Sequence, residues 1–460
     1  MRLTTSMKIL AAVAVAGGLG AAETASARQT SAAEAGLRLA TFKCDATPPL
    51  GDTLIWTVKL ESVADPLMLK GVVLEAGKQR YVLCALDWCL LCNDSERSFR
   101  ETLARAAGTE PSCVAVHCVH QHVAPYADEG AHRLLDGASG KPPHLSQTFL
   151  DGLRARMGEA VAEAVKRLEP FDRIGCGTAV VERVASQRRL KAADGKIVSR
   201  VSETGKTPEL AALPEGDVDP VLRTVTFARG EKVLARLHYY ATHPQTHSCD
   251  GSVSADFVGA AREAREREEK VFQIYFTGCA GNVTVGKYND SSLSAREALT
   301  QHLLSGLRAA AAASRFSPAD RFVWRTEELV LPVRTDDDFV QQCRKNLDNP
   351  RAASGARVFK GAMRLASVAR AKRPFRLTSL RIGDARIVLL PGEPMLEFQK
   401  FAQGRCPDRF VAVAGYGDCG TSYICTDRMF TEGGYEPTAT NLAPGAEPVL
   451  KDAIQRLLER

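Results

Sequence analysis

Residues 114–125 read Val-Ala-Val-His-Cys-Val-His-Gln-His-Val-Ala-Pro, and the chemistry of the chain centres on this stretch. Residues 113–119 alternate and are rich in β-branched side chains. That predicts a buried strand which runs out into histidines and breaks at Pro125. On an extended chain His120 and His122 share one side, roughly 6–7 Å apart at about 3.3 Å rise per residue, while His117 faces the other way. Two imidazoles so placed can share a metal ion, or one binds it while the other handles protons. A lone His-x-His serves a surface loop equally well, so the remaining elements must decide.

Those elements follow an order. A first strand is predicted over 37–45. A hairpin over 67–76 and 80–88 follows, turning at Gly77-Lys78-Gln79, and a helix from Asn93 keeps its apolar spacing to Gly108. The histidine strand comes next, so strand, helix and strand form a parallel pair. Further on, a hairpin over 221–227 and 233–240 delivers Ala241-Thr242-His243-Pro244, and a hairpin over 377–382 and 385–390 runs into Pro391-Gly392-Glu393-Pro394. A strand over 410–414 opens toward Tyr423, and one over 271–276 precedes the glycine loop 277–284. That loop lacks the Gly-Lys-Ser/Thr and Rossmann spacings, so close backbone approach to a ligand or metal is the better reading than a nucleotide site. Four strands thus end in a metal ligand or proton carrier. In an α/β protein with a mixed sheet core and flanking helices, the site is expected at the carboxyl ends of the strands. Residues 186–220 read as an exposed, charged excursion, and 336–372 as helical and chemically uninformative. No internal repeat is visible.

Composition excludes other classes. The 460 residues are 25% charged and 45% hydrophobic, with 6% aromatics and a formal net charge of +6, so nucleic acid is not the expected partner. No apolar stretch after the N-terminus is long enough for a transmembrane helix. Arg2 and Lys8, the apolar run 9–19 and Ala25-Ser26-Ala27 read as a signal peptide over 1–27, which implies export to a periplasmic or extracellular space. Residues 28–460 are expected to form one domain. The thirteen cysteines are scattered rather than spaced as a stapled scaffold, and Cys84 and Cys89 read as core thiols.

In five motifs, in order, the chain resembles the neutral ceramidase family, zinc-dependent amidases that split N-acyl sphingosine. The family's Thr-His-Thr-His-Ser-Gly-Pro is similar to residues 119–125, and its His-Pro followed by Ser-Ala/Gly-Asp is similar to His243-Pro244 and Ser254-Ala255-Asp256. Its Ala-Gly-Asp-Val-Ser/Asn resembles Ala280-Gly281-Asn282-Val283-Thr284. Its Pro-Gly-Glu matches Pro391-Gly392-Glu393, and its Ala-Gly…Tyr-x-x-Tyr-x-x-Thr resembles Ala414-Gly415 with Tyr423-Ile424-Cys425-Thr426. The resemblance runs from about Leu37 to Glu436. It implies Zn2+ held by His120, His243, Glu393 and Tyr423, with His122 as the second active-site histidine and Arg188 or Arg189 as the active-site arginine. Asn282 and Thr284 fall on loop positions where the family has Asp and Ser, and Val123-Ala124 replaces Ser-Gly. Gly420 stands in place of the first tyrosine of the pair. No immunoglobulin-like C-terminal domain is expected.

The chemistry of the residues agrees with that ligand set. Two imidazoles, a carboxylate and a phenolate leave room for a water whose pKa zinc can lower to about 7. The expected activity is hydrolysis of an N-acyl amide, ceramide or a smaller relative, so the partner is a small-molecule or lipid-like amide. The alternatives are a metal hydrolase of an unrelated ester, amide or cell-wall fragment, and a non-catalytic binding homologue.

Overall fold

A computed structural model describes residues 36–138, 142–247, 250–349 and 355–459, together with the backbone of Ser26–Ser31. Most of the expected leader, residues 1–25, lies outside the described residues. No described helix is long and apolar enough to cross a membrane.

Three five-stranded mixed sheets make up the core. The first contains β1 (Leu37–Asp45), β2 (Met68–Ala76) and β3 (Gln79–Leu86) as an antiparallel meander. Helix α1 (Asn93–Ala107) then leads to β4 (Val114–Cys118), parallel to β3. After α2 (Gln147–Val165) the pattern repeats. Strands β5 (Arg173–Val180), β6 (Val221–Arg229) and β7 (Lys232–Tyr240) form a meander, and α3 (Asp256–Glu269) leads to β8 (Phe272–Thr277), parallel to β7. Helix α4 (Leu293–Ala312) precedes the third unit. There β9 (Arg321–Leu329) is followed by α5 (Asp337–Leu347) and α6 (Gly355–Ala369), then by β10 (Phe375–Ile382) and β11 (Ala385–Leu389). Helix α7 (Leu396–Gly404) carries the chain to β12 (Phe410–Ala414), parallel to β11, before the last helix, α8 (Ala446–Glu459). A short antiparallel strand edges the first meander strand of each unit: Glu169–Pro170, Arg315–Pro318 and Ser26–Ser31.

The sequence shows no internal repeat, yet one strand order occurs three times. Any apolar strands with turn residues between them satisfy a meander plus a parallel crossover, so topology recurs without residue identity. The parallel strands β4, β8 and β12 join just past their carboxyl ends. Thr277 Oγ1 donates to Val119 O at 2.6 Å, Gly415 N to Thr277 O at 3.0 Å, and Cys118 N to Tyr416 O at 2.8 Å. The loops leaving three separate sheets are thereby brought to one point.

A buried ion pair ties the first two units together. Arg262 of α3 donates to both Asp87 carboxylate oxygens, at 2.7 and 2.8 Å, and Gln121, between the two site histidines, donates to Asp87 at 3.3 Å. Removing one partner of such a pair strands the other charge. Arg262→Ala is therefore expected to cost about 3–5 kcal/mol in urea unfolding; a loss below about 1 kcal/mol would mean that Asp87 finds other support.

The excursion 186–220 is exposed over much of its length, 193–196 and 206–209 included, but its start and Arg200 are buried. Ser186–Gln187 pairs with Val283–Thr284, and Arg188, Arg189 and Arg200 are buried. Arg200 donates to the carbonyls of Gln187, Leu210, Leu213, Pro214 and Glu215, so its charge folds the segment inward instead of solvating it. No disulfide joins the described cysteines, and nine of them, Cys84 and Cys89 included, are buried thiols.

Candidate metal centre

The expected extended run through His122 does not form. The strand stops at Cys118, and His120 has a φ of 76°, a left-handed turn that redirects both imidazoles. Their Nε2 atoms then lie 3.3 Å apart rather than side by side on a strand. His120 N donates to Trp88 O at 2.9 Å, and His120 Nδ1 to Cys89 O at 2.8 Å. With Nδ1 so occupied, the lone pair lies on Nε2. His117 faces away, its Nδ1 on Gly415 O at 2.5 Å.

His243 is set the same way from the second sheet. Its Nδ1 faces the carbonyls of Ala280 and Val283, at 2.7 and 3.0 Å, and its backbone N donates to Val283 O. Glu393 comes from the third sheet, one residue after Gly392. That glycine has a φ of 65°, and a Cβ there would collide with Thr421 Oγ1. Glu393 Oε2 lies 3.2 Å from His120 Nε2 and 3.5 Å from His243 Nε2. Residues Glu393–Pro394 pair in parallel with Tyr423–Ile424, which sets Tyr423 beside Glu393.

Electrostatics favour the protonation states a cation needs at His243 and Glu393 and oppose the phenolate form at Tyr423. Burial pushes His243 down to about 4. His122 is held well below its usual range, by burial first and then by the neighbouring imidazoles. Burial favours the neutral acid at Glu393, but His120 and His243 outweigh it and keep the carboxyl below its ordinary range. Burial raises the Tyr423 hydroxyl well above its usual range, with Arg188 pulling against it. His243 Nε2 and Glu393 Oε2 are buried and complete no hydrogen bond. A His243 imidazole kept neutral by burial, an ionised carboxylate and donor atoms of His120, His243 and Glu393 within 4.8 Å of one another can hold a metal ion. Cys89, His120 and His122 form a second such group, but it shares His120 with the first.

The two candidate arginines separate. Arg188 NH1 donates to Tyr423 Oη at 2.9 Å and lines the cavity with His120, His122, Glu393 and Tyr423. Arg189 turns the other way, to Glu436 at 2.8 Å and to Glu432 and Gly433 O. Asn282 and Thr284 also stand outside the cavity. Asn282 donates to Glu397 and accepts from Leu396 N at the start of α7, while its backbone O accepts from Arg188 N. Thr284 Oγ1 accepts from Gly286 N, and its backbone bridges to His243. Their backbones hold Arg188 and His243, while their side chains face α7 and Gly286 rather than the cavity.

Sequence reasoning missed three contributors. Tyr416 stacks on His120 with ring centroids 4.3 Å apart. Tyr435 lies 5.9 Å from the Tyr423 ring and under Arg188 at 5.4 Å. Helix α6, from the stretch judged uninformative, supplies Lys360, Met363 and Arg364 to a cavity of about 220 Å³. Only the unclaimed cations on one face of α6 could have signalled this.

No known family profile matches the chain, and no curated protein matches it in sequence. Solved structures do. The crystal structure of neutral ceramidase from Pseudomonas aeruginosa superposes with a TM-score of 0.64 at 15% identity, covering 92% of this chain and 73% of that one. A ceramidase complexed with C2 gives a TM-score of 0.65 at 15% identity, covering 92% and 74%. The chain has the neutral ceramidase fold, as the five motifs implied.

Proposed function

We propose that this protein, built on the neutral ceramidase fold, is an exported zinc-dependent amide hydrolase, with 28–460 as the catalytic unit. The observation that supports it most is the triad of His120, His243 and Glu393, drawn from three sheets, with unsatisfied Nε2 and Oε2 atoms facing one another in the interior. Zinc, when held by these residues and Tyr423, supplies Lewis acidity and brings a water's pKa to about 7.

The chain's own residues do the rest. His122 accepts a proton from the water as its oxygen adds to the amide carbon, then returns it to the leaving nitrogen as the C–N bond breaks. Carboxylate and amine are the products. Arg188, beside Tyr423 in the cavity wall, meets the negative charge that grows on the carbonyl oxygen. Asn282 and Thr284 support the backbone of Arg188 and His243, so their replacement of Asp and Ser gives no reason to read the chain as a non-catalytic homologue.

A cavity of about 220 Å³ is small beside the several hundred typical of drug-sized ligands, which favours a smaller or more polar amide than long-chain ceramide. The test is turnover of a panel of short-chain N-acyl amides, esters and long-chain ceramide by zinc-loaded and chelated protein. Short amides are expected to be cleaved at least as well as ceramide, with activity lost on chelation and restored by zinc. A strong kcat/KM preference for long-chain ceramide would overturn the substrate reading, and undiminished turnover after zinc removal would overturn the metal reading.

A further inference from the structure

The cavity wall contributed by α6 carries two cations, Lys360 and Arg364, four residues apart and so on one helix face. Neither has a carboxylate partner among the described residues. Elsewhere buried arginines are matched by a carboxylate, as Arg262 by Asp87, Arg189 by Glu436 and Arg370 by Asp418, or, at Arg200, by five backbone carbonyls. Arg364 spends one nitrogen on Thr438 O at 2.7 Å, and its buried Nε completes no hydrogen bond. Arg188, which lies 3.9 Å from Glu436, adds a third cation to the same wall, while the one carboxylate lining the cavity, Glu393, already faces His120 and His243.

Holding two half-buried cations side by side with no carboxylate between them is unfavourable unless an anion joins them. Burial, and then the neighbouring Arg364, push the Lys360 ammonium below its usual range, so the helix tolerates these charges rather than gaining from them. Resting on the amidase reading above, we propose that the substrate is an amide with an anionic group, carboxylate or phosphate, close to its scissile bond, and that Lys360 and Arg364 bind this group. An N-acyl amino acid has this form. Ceramide, which is neutral, does not. One cavity of about 220 Å³ holds both the cations and the candidate metal ligands, so a single small molecule can meet both.

The test compares binding, by calorimetry on zinc-loaded protein, of N-octanoylglycine, N-octanoylphosphoethanolamine and N-octylsuccinamic acid with neutral N-octanoylethanolamine and N-octylbutanamide. At least one anionic probe is expected to bind about 10-fold or more tightly than its neutral counterpart, as charge-assisted hydrogen bonds allow. The K360Q/R364Q protein, with zinc content verified, is expected to lose that preference. Equal binding of charged and neutral probes, no binding of any, or a preference that survives in the double variant through the metal alone would each overturn the proposal. K360Q by itself, at a half-buried position, gives the same comparison should the double variant lose its circular dichroism signature. Turnover on the same samples separates the two readings: anionic probes bound through α6 but never cleaved would sink the amidase assignment alone, and neutral amides cleaved without charge preference would sink the anion site alone.

Discussion

His243→Ala is expected to leave the protein folded and nearly free of zinc, with kcat/KM down on the order of 10³-fold or more. His243 is wholly buried, its Nδ1 is held by two backbone carbonyls, and its Nε2 meets Glu393 Oε2 with no hydrogen bond completed. Of the donors that converge, it alone comes from the second sheet. Its loss removes one of four proposed ligands, and zinc centres are almost always completed by four. Elemental analysis per chain and kcat/KM on a short N-acyl amide check both halves of the expectation. Full zinc occupancy in the variant would place the metal elsewhere.

His122→Gln is expected to behave differently: zinc stays, KM moves little, and kcat falls about 10²- to 10⁴-fold. The glutamine approximates the imidazole's size and polarity but takes up no proton near neutral pH. His122 lies 3.3 Å from His120 Nε2, in the cavity wall, and is not among the three donors facing one another across Glu393. A variant that loses zinc would make His122 a ligand, and one with unchanged kcat would remove it from proton transfer. Read together, the two substitutions separate holding the metal from moving the proton.

Helix α6 shows how role and legibility part company. Its apolar spacing announces a helix, and nothing in residues 336–372 looks like chemistry, because lysine and arginine on a helix face ordinarily belong to solvent. Only the packing against the cavity shows that Lys360 and Arg364 line it, with no acidic partner among the described residues. The buried part of the excursion 186–220 is hidden for the same reason: charge density suggests exposure, which holds at 193–196 and 206–209, while Arg200 is satisfied by five backbone carbonyls that no linear pattern reveals.

Local periodicity and turn chemistry determined most of the elements, from the β2–β3 hairpin to the helix ending at Gly108, because strand alternation and left-handed glycines are properties of neighbouring residues. The identities of His120, His243, Glu393 and Tyr423 likewise fix what a site could do, since ligand chemistry belongs to the side chain. The tertiary structure alone decided that these groups meet, because they leave three sheets whose parallel strands join only through long-range contacts. It alone turned Arg188 into the cavity wall and Arg189 away from it, with Arg188 donating to a residue 235 positions away. It alone moved Asn282 and Thr284 out of the cavity. Adjacent residues on an extended segment point to opposite sides, and which side faces the ligand is settled by what packs against each.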